Sequence, residues 1–255
     1  MKVWIVCLLA LFASSAQAEQ PAKYDIVLMI GQSNMTGQGK IEPQDLEPIK
    51  GAFKLNSHFV WAPAKDPINH DGPRAIGVGP GRSFAKELLR ARPAARIGLV
   101  NAAVGGTTLQ QWSPGGRIYN RALLFLRKAK RSGKLVAILW HQGESDAGNP
   151  RRAEAYAQKW VAMMTQLRRD ARAENVPIIA GEIGTFLDKP YARKINAQIK
   201  SLPSRMSNVA VVSSAGLKQK GDGLHFDAAS ERELGRRYAQ AFLELVPSWS
   251  RTPSK

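Results

Sequence analysis

The chain has 255 residues and carries 37 Lys and Arg against 20 Asp and Glu, a formal net charge of +17. That length suits one substantial core, and a single cysteine, Cys7, excludes internal disulfides and Cys-based metal sites. The basic residues are scattered through expected helices, as at Arg90, Lys128, Arg168 and Arg236, with neither one block nor an aromatic-studded platform, which argues against nucleic acid as a partner.

Taken in order, the chain opens with a positive Lys2, an apolar run from Val3 to Ala13 and the small-residue end Ala16-Gln17-Ala18. This is the pattern of a secretory signal peptide over residues 1–18, cleaved after Ala18, and it predicts a secreted or periplasmic protein. The apolar run is too short to span a bilayer, and no later segment is long enough, so no membrane anchor is expected. Loss of Lys2 and Cys7 with the signal leaves a net charge of +16 and no cysteine. Residues 19–255 are expected to form a single domain.

The run from Tyr24 to Ile30 is apolar with β-branched residues and predicts a buried strand. It breaks at Gly31 and delivers Gln32-Ser33-Asn34-Met35. A long irregular stretch, rich in Pro, Gly and Asn, follows from Thr36 to Pro80 and includes His58, Trp61 and His70. Gly77 to Ser83 reads as a helix-start turn; it lacks the Lys-Ser/Thr ending of a phosphate-binding loop. Further strands are expected over 95–100, 135–140, 176–183 and 209–213, with helices to about Ala91 and over 118–132, 151–173, 191–202 and 228–246. Such alternation predicts an α/β fold with a parallel sheet of about five strands covered by helices on both faces.

Polar residues gather just after strand ends, where open α/β sheets hold their ligands. The four pieces are Gly31 to Met35, Asn101 to Thr108, His141 to Asp146 and Asp222 to Phe226. Ester hydrolysis needs a nucleophile, a base, a group that orients the base and donors for the developing oxyanion. Ser33 fits the nucleophile, although a serine at a strand-to-helix turn also fits a simple cap. His225 fits the base, and Asp222, three residues earlier, can reach the far imidazole nitrogen. Glu144 is the alternative orienter, a substrate ligand or a structural partner for an Arg. The backbone N–H groups of Ser33 and Gly106 and the side-chain amide of Gln142 are the expected oxyanion donors. Gln32, Asn34, Gly105 and Glu144 are further candidates for the substrate pocket, and Trp61 and Trp112 fit either sugar stacking or core packing. His58, His70, His141 and His225 lack the spacing of metal ligands, so no metal is expected.

These pieces, Gly31-Gln32-Ser33-Asn34-Met35, Gly105-Gly106-Thr107, Trp140 to Asp146 and Asp222-Gly223-Leu224-His225, resemble the SGNH hydrolase superfamily. Within it, the match is to the carbohydrate esterases similar to acetylxylan esterase and sialate O-acetylesterase. Gln142 stands where most of the superfamily has Asn, as in that branch. The resemblance covers Tyr24 to Val246. It implies a three-layer flavodoxin-like fold, a Ser33 nucleophile with His225 and Asp222, and removal of O-acetyl groups from sugars without metal or cofactor. An acetylated carbohydrate is then the expected partner, with no obligate protein partner. Acetylated sialic acid, acetylated peptidoglycan and a non-catalytic sugar-binding role are the alternatives.

Overall fold

The computed structural model describes residues 24–69 and 76–250. The expected signal peptide, Cys7 and His70 lie outside the described residues. Seven strands form one sheet in the order β3-β2-β4-β1-β5-β6-β7. They are β1 (Tyr24–Gly31), β2 (Ala52–Leu55), β3 (Trp61–Pro63), β4 (Ile97–Asn101), β5 (Gly133–His141), β6 (Ile178–Gly181) and β7 (Val209–Val212). All neighbours pair in parallel except β2 with β3, an antiparallel hairpin at one edge. The five strands expected from the sequence are therefore joined by two short ones inside the Thr36 to Pro80 stretch. Four and three residues are too few to raise a period-two signal above the surrounding turn residues.

Nine helices lie among the described residues: α1 (Ser33–Thr36), α2 (Pro43–Leu46), α3 (Pro80–Ala91), α4 (Arg117–Ala129), α5 (Pro150–Glu154), α6 (Tyr156–Asp170), α7 (Ala192–Lys200), α8 (Leu202–Arg205) and α9 (Ala228–Leu245). The long helices read over 151–173 and 191–202 are each broken once, at Ala155 and Ser201. Local chemistry sets the starts. Asn149 caps α5 by accepting the Arg152 N–H at 3.0 Å, and Asp227 caps α9 by accepting the Ser230 N–H at 2.7 Å. Pro80 stands at the first position of α3, where its missing N–H costs nothing.

Strand β1 runs through the centre of the molecule, and its alternation feeds both layers. Ile26, Leu28 and Ile30 join the core formed with α4, α6 and α7, while Val27 and Met29 join the core formed with α3 and α9. Each such side chain, taken fully out of water, contributes roughly 1.5–3 kcal/mol. β4 flanks β1 on one side and β5 on the other, and the chain crosses from the first side to the second after β4, so the carboxyl end of β1 is the point at which strand order reverses. Ligands of open α/β sheets bind at that crevice. No helix of the described residues is long and apolar enough to cross a membrane.

Candidate active site

The turn after β1 is made by Gly31, whose φ of +132° few other residues adopt and whose missing Cβ would lie 2.0 Å from the His141 carbonyl oxygen. This close approach lets Gln32 donate its N–H to His141 O at 2.8 Å and starts α1 at Ser33. Gln32, not Ser33, holds the capping position, and no side chain caps the helix. The Ser33 hydroxyl faces His225 Nε2 at 2.9 Å.

Asp222 organises the loop that presents His225. Its Oδ1 accepts the backbone N–H groups of Leu224 and His225 at 3.0 and 2.8 Å, and its Oδ2 lies 2.7 Å from His225 Nδ1. Burial pushes the Asp222 carboxyl up, but the donors from His225 and Leu224 outweigh it and hold the group well below the usual carboxylate range. Nδ1 thus carries the proton shared with Asp222 and Nε2 is free to accept one from Ser33. The three residues lie in one chain of hydrogen bonds, and Ser33 and His225 stand at the wall of a cavity of ≈ 510 Å³.

Gln32, Gly105, Gly106 and Glu144 also line this cavity. A Cβ on Gly105 would stand 3.7 Å from the Ser33 Cβ, so the two loops meet directly at Ser33. Gly106 adopts φ +72° with open space around it, a backbone shape that suits glycine. The first N–H groups of α1, that of Ser33 among them, have no intrahelical acceptor.

Two expectations are corrected. Gln142 is fully buried and does not line the cavity. Its two amide hydrogens are shared among Asp146 Oδ2 at 2.6 Å, Thr107 O at 3.0 Å and Gln32 Oε1 at 3.3 Å, which leaves none for an oxyanion. Buried acceptors demand donors, and these three draw the amide inward. Gln32 takes the outward place: its Oε1 accepts from Gln142 and from the Ser145 N–H at 3.3 Å, so its NH₂ end has no acceptor among the described residues and faces the cavity.

Asn34 is the second correction. It is fully buried behind the cavity, donating to Glu144 Oε1 at 2.6 Å and accepting the Phe226 N–H at 3.2 Å. Glu144 is also approached by His141 Nε2 at 3.5 Å. Burial raises its carboxyl, but His141 and Asn34 together bring it below its ordinary value. Glu144 makes no hydrogen bond to the His225 imidazole; of the two carboxylates, it is Asp222 that reaches it, at 2.7 Å. His141 is a core residue whose Nδ1 lies 3.2 Å from Tyr238 Oη, which donates its own proton to Trp140 O at 2.7 Å.

Neither tryptophan singled out for stacking reaches the cavity. Trp112 is buried with its Nε1 on Thr107 Oγ1 at 3.0 Å, and Trp61 packs on Tyr24 at the opposite end of β1. His58 is an exposed loop residue. Lys189 is a lining residue that sequence reasoning missed. It follows β6 in a loop to which the strand-end rule points, but that loop has neither a Ser nor a His to draw attention to it. Its Nζ donates to the Glu144 carbonyl at 2.9 Å. Among the described residues no group of three His, Cys, Asp or Glu side chains is arranged as metal ligands.

Comparison with known proteins agrees with this architecture. A protein of Arabidopsis thaliana named as a probable carbohydrate esterase is 32% identical over 240 residues, covering 86% of this chain and 90% of that protein. An X-ray structure of an Arabidopsis thaliana protein superposes with a TM-score of 0.81 at 30% identity, over 87% of this chain and 98% of that one. NanS shares the fold with a TM-score of 0.72 at 16% identity, over 89% of this chain and 99% of its own. The family model described as carbohydrate esterase, sialic acid-specific acetylesterase matches residues 23–244, and the chain belongs to that family of esterases.

Proposed function

We propose that the protein is an exported serine esterase that removes O-acetyl groups from carbohydrate through an acyl-enzyme. One observation carries the reading: Ser33 Oγ, His225 and Asp222 form a continuous chain of 2.9 and 2.7 Å contacts whose Ser33 and His225 end lines the cavity beyond β1. Ser33 Oγ attacks the acetyl carbonyl carbon as its proton passes to His225 Nε2, and Asp222 holds the imidazole and its positive charge in place. Negative charge gathers on the carbonyl oxygen. The Ser33 N–H, an N–H from the Gly105-Gly106 turn and the NH₂ end of Gln32 supply its donors. His225 then protonates the sugar oxygen as the C–O bond breaks. A water, deprotonated by the same imidazole, attacks the acetyl-serine and frees acetate.

The signal-like start of the chain supports export, and the surplus of basic residues suits an anionic glycan. No nucleic acid, membrane anchor, cofactor or obligate protein partner enters this reading. The test is acetate release from acetylated xylan, O-acetyl sialic acid and O-acetylated peptidoglycan, with p-nitrophenyl acetate as a general ester, by the wild type and Ser33→Ala. Release from one or more glycans, lost in the variant, is expected. Sugar binding without release of acetate, or an active variant, contradicts it.

A further inference from the structure

A second cavity, of ≈ 720 Å³, opens beside the catalytic one, and Lys189 lines both. We propose that this cavity is a saccharide subsite that holds the sugar next to the acetylated one, so that the enzyme acts on oligosaccharides in preference to single sugars. The proposal rests on the esterase reading above.

Hydrogen bonds, an ion pair and a ring contact hold the walls of the cavity. Asn196 clamps the exit of β6 with two 2.9 Å hydrogen bonds, to the Ile183 N–H and the Ile183 carbonyl. Glu182 forms a satisfied base, with Lys200 Nζ at 3.1 Å and the Ser213 hydroxyl at 3.2 Å. Phe186, half-buried, rests edge-on against Phe226 at 5.2 Å, and Phe226 follows His225 directly. One wall of this cavity is thus tied to the loop that carries the catalytic base.

The lining suits a sugar ring. Thr185, Asp188 and Arg193 are exposed on it and offer both donors and acceptors, and Phe186 offers part of an apolar face. Sugars present the same mixture of hydroxyls and C–H faces, and binding cavities match it with a few convergent polar groups beside apolar ones. Arg193 has no partner among the described residues, so its guanidinium donors are available. Lys189 is held at the boundary by the Glu144 carbonyl, and its remaining ammonium hydrogens are free to bridge the two sugars.

The test compares kcat/KM on O-acetylated monosaccharides with that on matching tetrasaccharides, in both a xylose and a sialic acid series, with p-nitrophenyl acetate as the reference. The proteins are the wild type, Arg193→Ala, which removes the donors, and Thr185→Trp, which fills the cavity. The wild type should favour the tetrasaccharide of an accepted series by about tenfold or more, the worth of one charged hydrogen bond. Both variants should bring that ratio towards one while p-nitrophenyl acetate turnover stays unchanged. A wild-type ratio near one in both series, or a ratio unmoved in both variants, overturns the subsite and leaves the esterase reading standing. Absence of hydrolysis on every ester, p-nitrophenyl acetate included, defeats the esterase reading itself.

Discussion

Asn34 ties the Ser33 loop to two others at once: its amide N–H meets Glu144 Oε1 at 2.6 Å and its carbonyl accepts the Phe226 N–H at 3.2 Å. Asn34 follows Ser33 and Phe226 follows His225, so this amide helps to fix the separation of Ser33 and His225. Asn34→Ala should lower unfolding free energy by about 2–3 kcal/mol, because the buried Glu144 carboxylate loses a donor. It should lower kcat by roughly tenfold to a hundredfold with little change in KM, as the reacting groups drift apart. Urea unfolding and steady-state kinetics give both numbers; an unchanged kcat would show that the loops hold their places without it.

Asp222→Asn keeps the shape of the loop but replaces an acceptor of the Nδ1 proton with a group that can donate. The imidazole then loses the partner that fixes its tautomer, and kcat on p-nitrophenyl acetate should fall by about 10²–10⁴-fold at neutral pH. The native Asp222 carboxyl is held low, so its contribution to stability is present above about pH 4, the unfolded value, and fades only as pH falls through the folded one. The wild type and variant should therefore differ in stability at pH 7 and converge in strong acid. A stability difference that grows on acidification would reverse the sign of the argument.

Gln32 and Gln142 separate by what each loses. Gln32→Ala should lower kcat by about tenfold or more, because its amide end faces the cavity, and cost only about 1 kcal/mol of stability, because its Oε1 accepts two long 3.3 Å contacts. Gln142→Ala strips donors from Asp146 and Thr107 O in the core and should cost about 2 kcal/mol or more of stability in addition to activity. If Gln142→Ala folds as stably as the wild type while losing activity, Gln142 works at the substrate after all.

That pair also shows how far the sequence could be read. The strand ends announce themselves by apolar runs broken at glycine, and they bring Ser33, Gly105, Gly106, Glu144 and His225 to one cavity. The direction of an amide is another matter. Whether Gln142 or Gln32 looks outward depends on Asp146 and Thr107 O, acceptors whose burial only packing creates. The β2-β3 hairpin escaped for a different reason. Its strands pair with β4 and with each other, and seven residues of irregular sequence carry too little periodicity to show it. Lys189 stayed hidden because a lysine in a loop has no signature until the loop is placed.

Glu231 gives a prediction about a buried carboxyl outside the Ser33, His225 and Asp222 chain. Its carboxyl is fully buried in α9 with no hydrogen-bond partner among the described residues, and burial, with Glu144 and Asp66 nearby, pushes it well above its ordinary value. The folded protein keeps this proton, whereas the unfolded chain loses it above about pH 4.3. The unfolded state then binds fewer protons, so stability falls as pH rises from there until the folded group titrates. Glu231→Gln should match the wild type near pH 4 and become progressively more stable than it towards pH 8. Denaturation midpoints across that range check this, and a difference that does not vary with pH would contradict it.

The most direct measurement of the central claim is the covalent intermediate. Rapid quenching of the enzyme with p-nitrophenyl acetate, followed by peptide mass analysis, should find the mass of one acetyl group on the peptide carrying Ser33. Slowing its hydrolysis, as in the His225→Ala variant given a reactive ester, should not move it to another residue, and Ser33→Ala should abolish it. Acetate release by the wild type with no acetyl group on Ser33 at any quench time, or undiminished turnover by Ser33→Ala, would contradict the account.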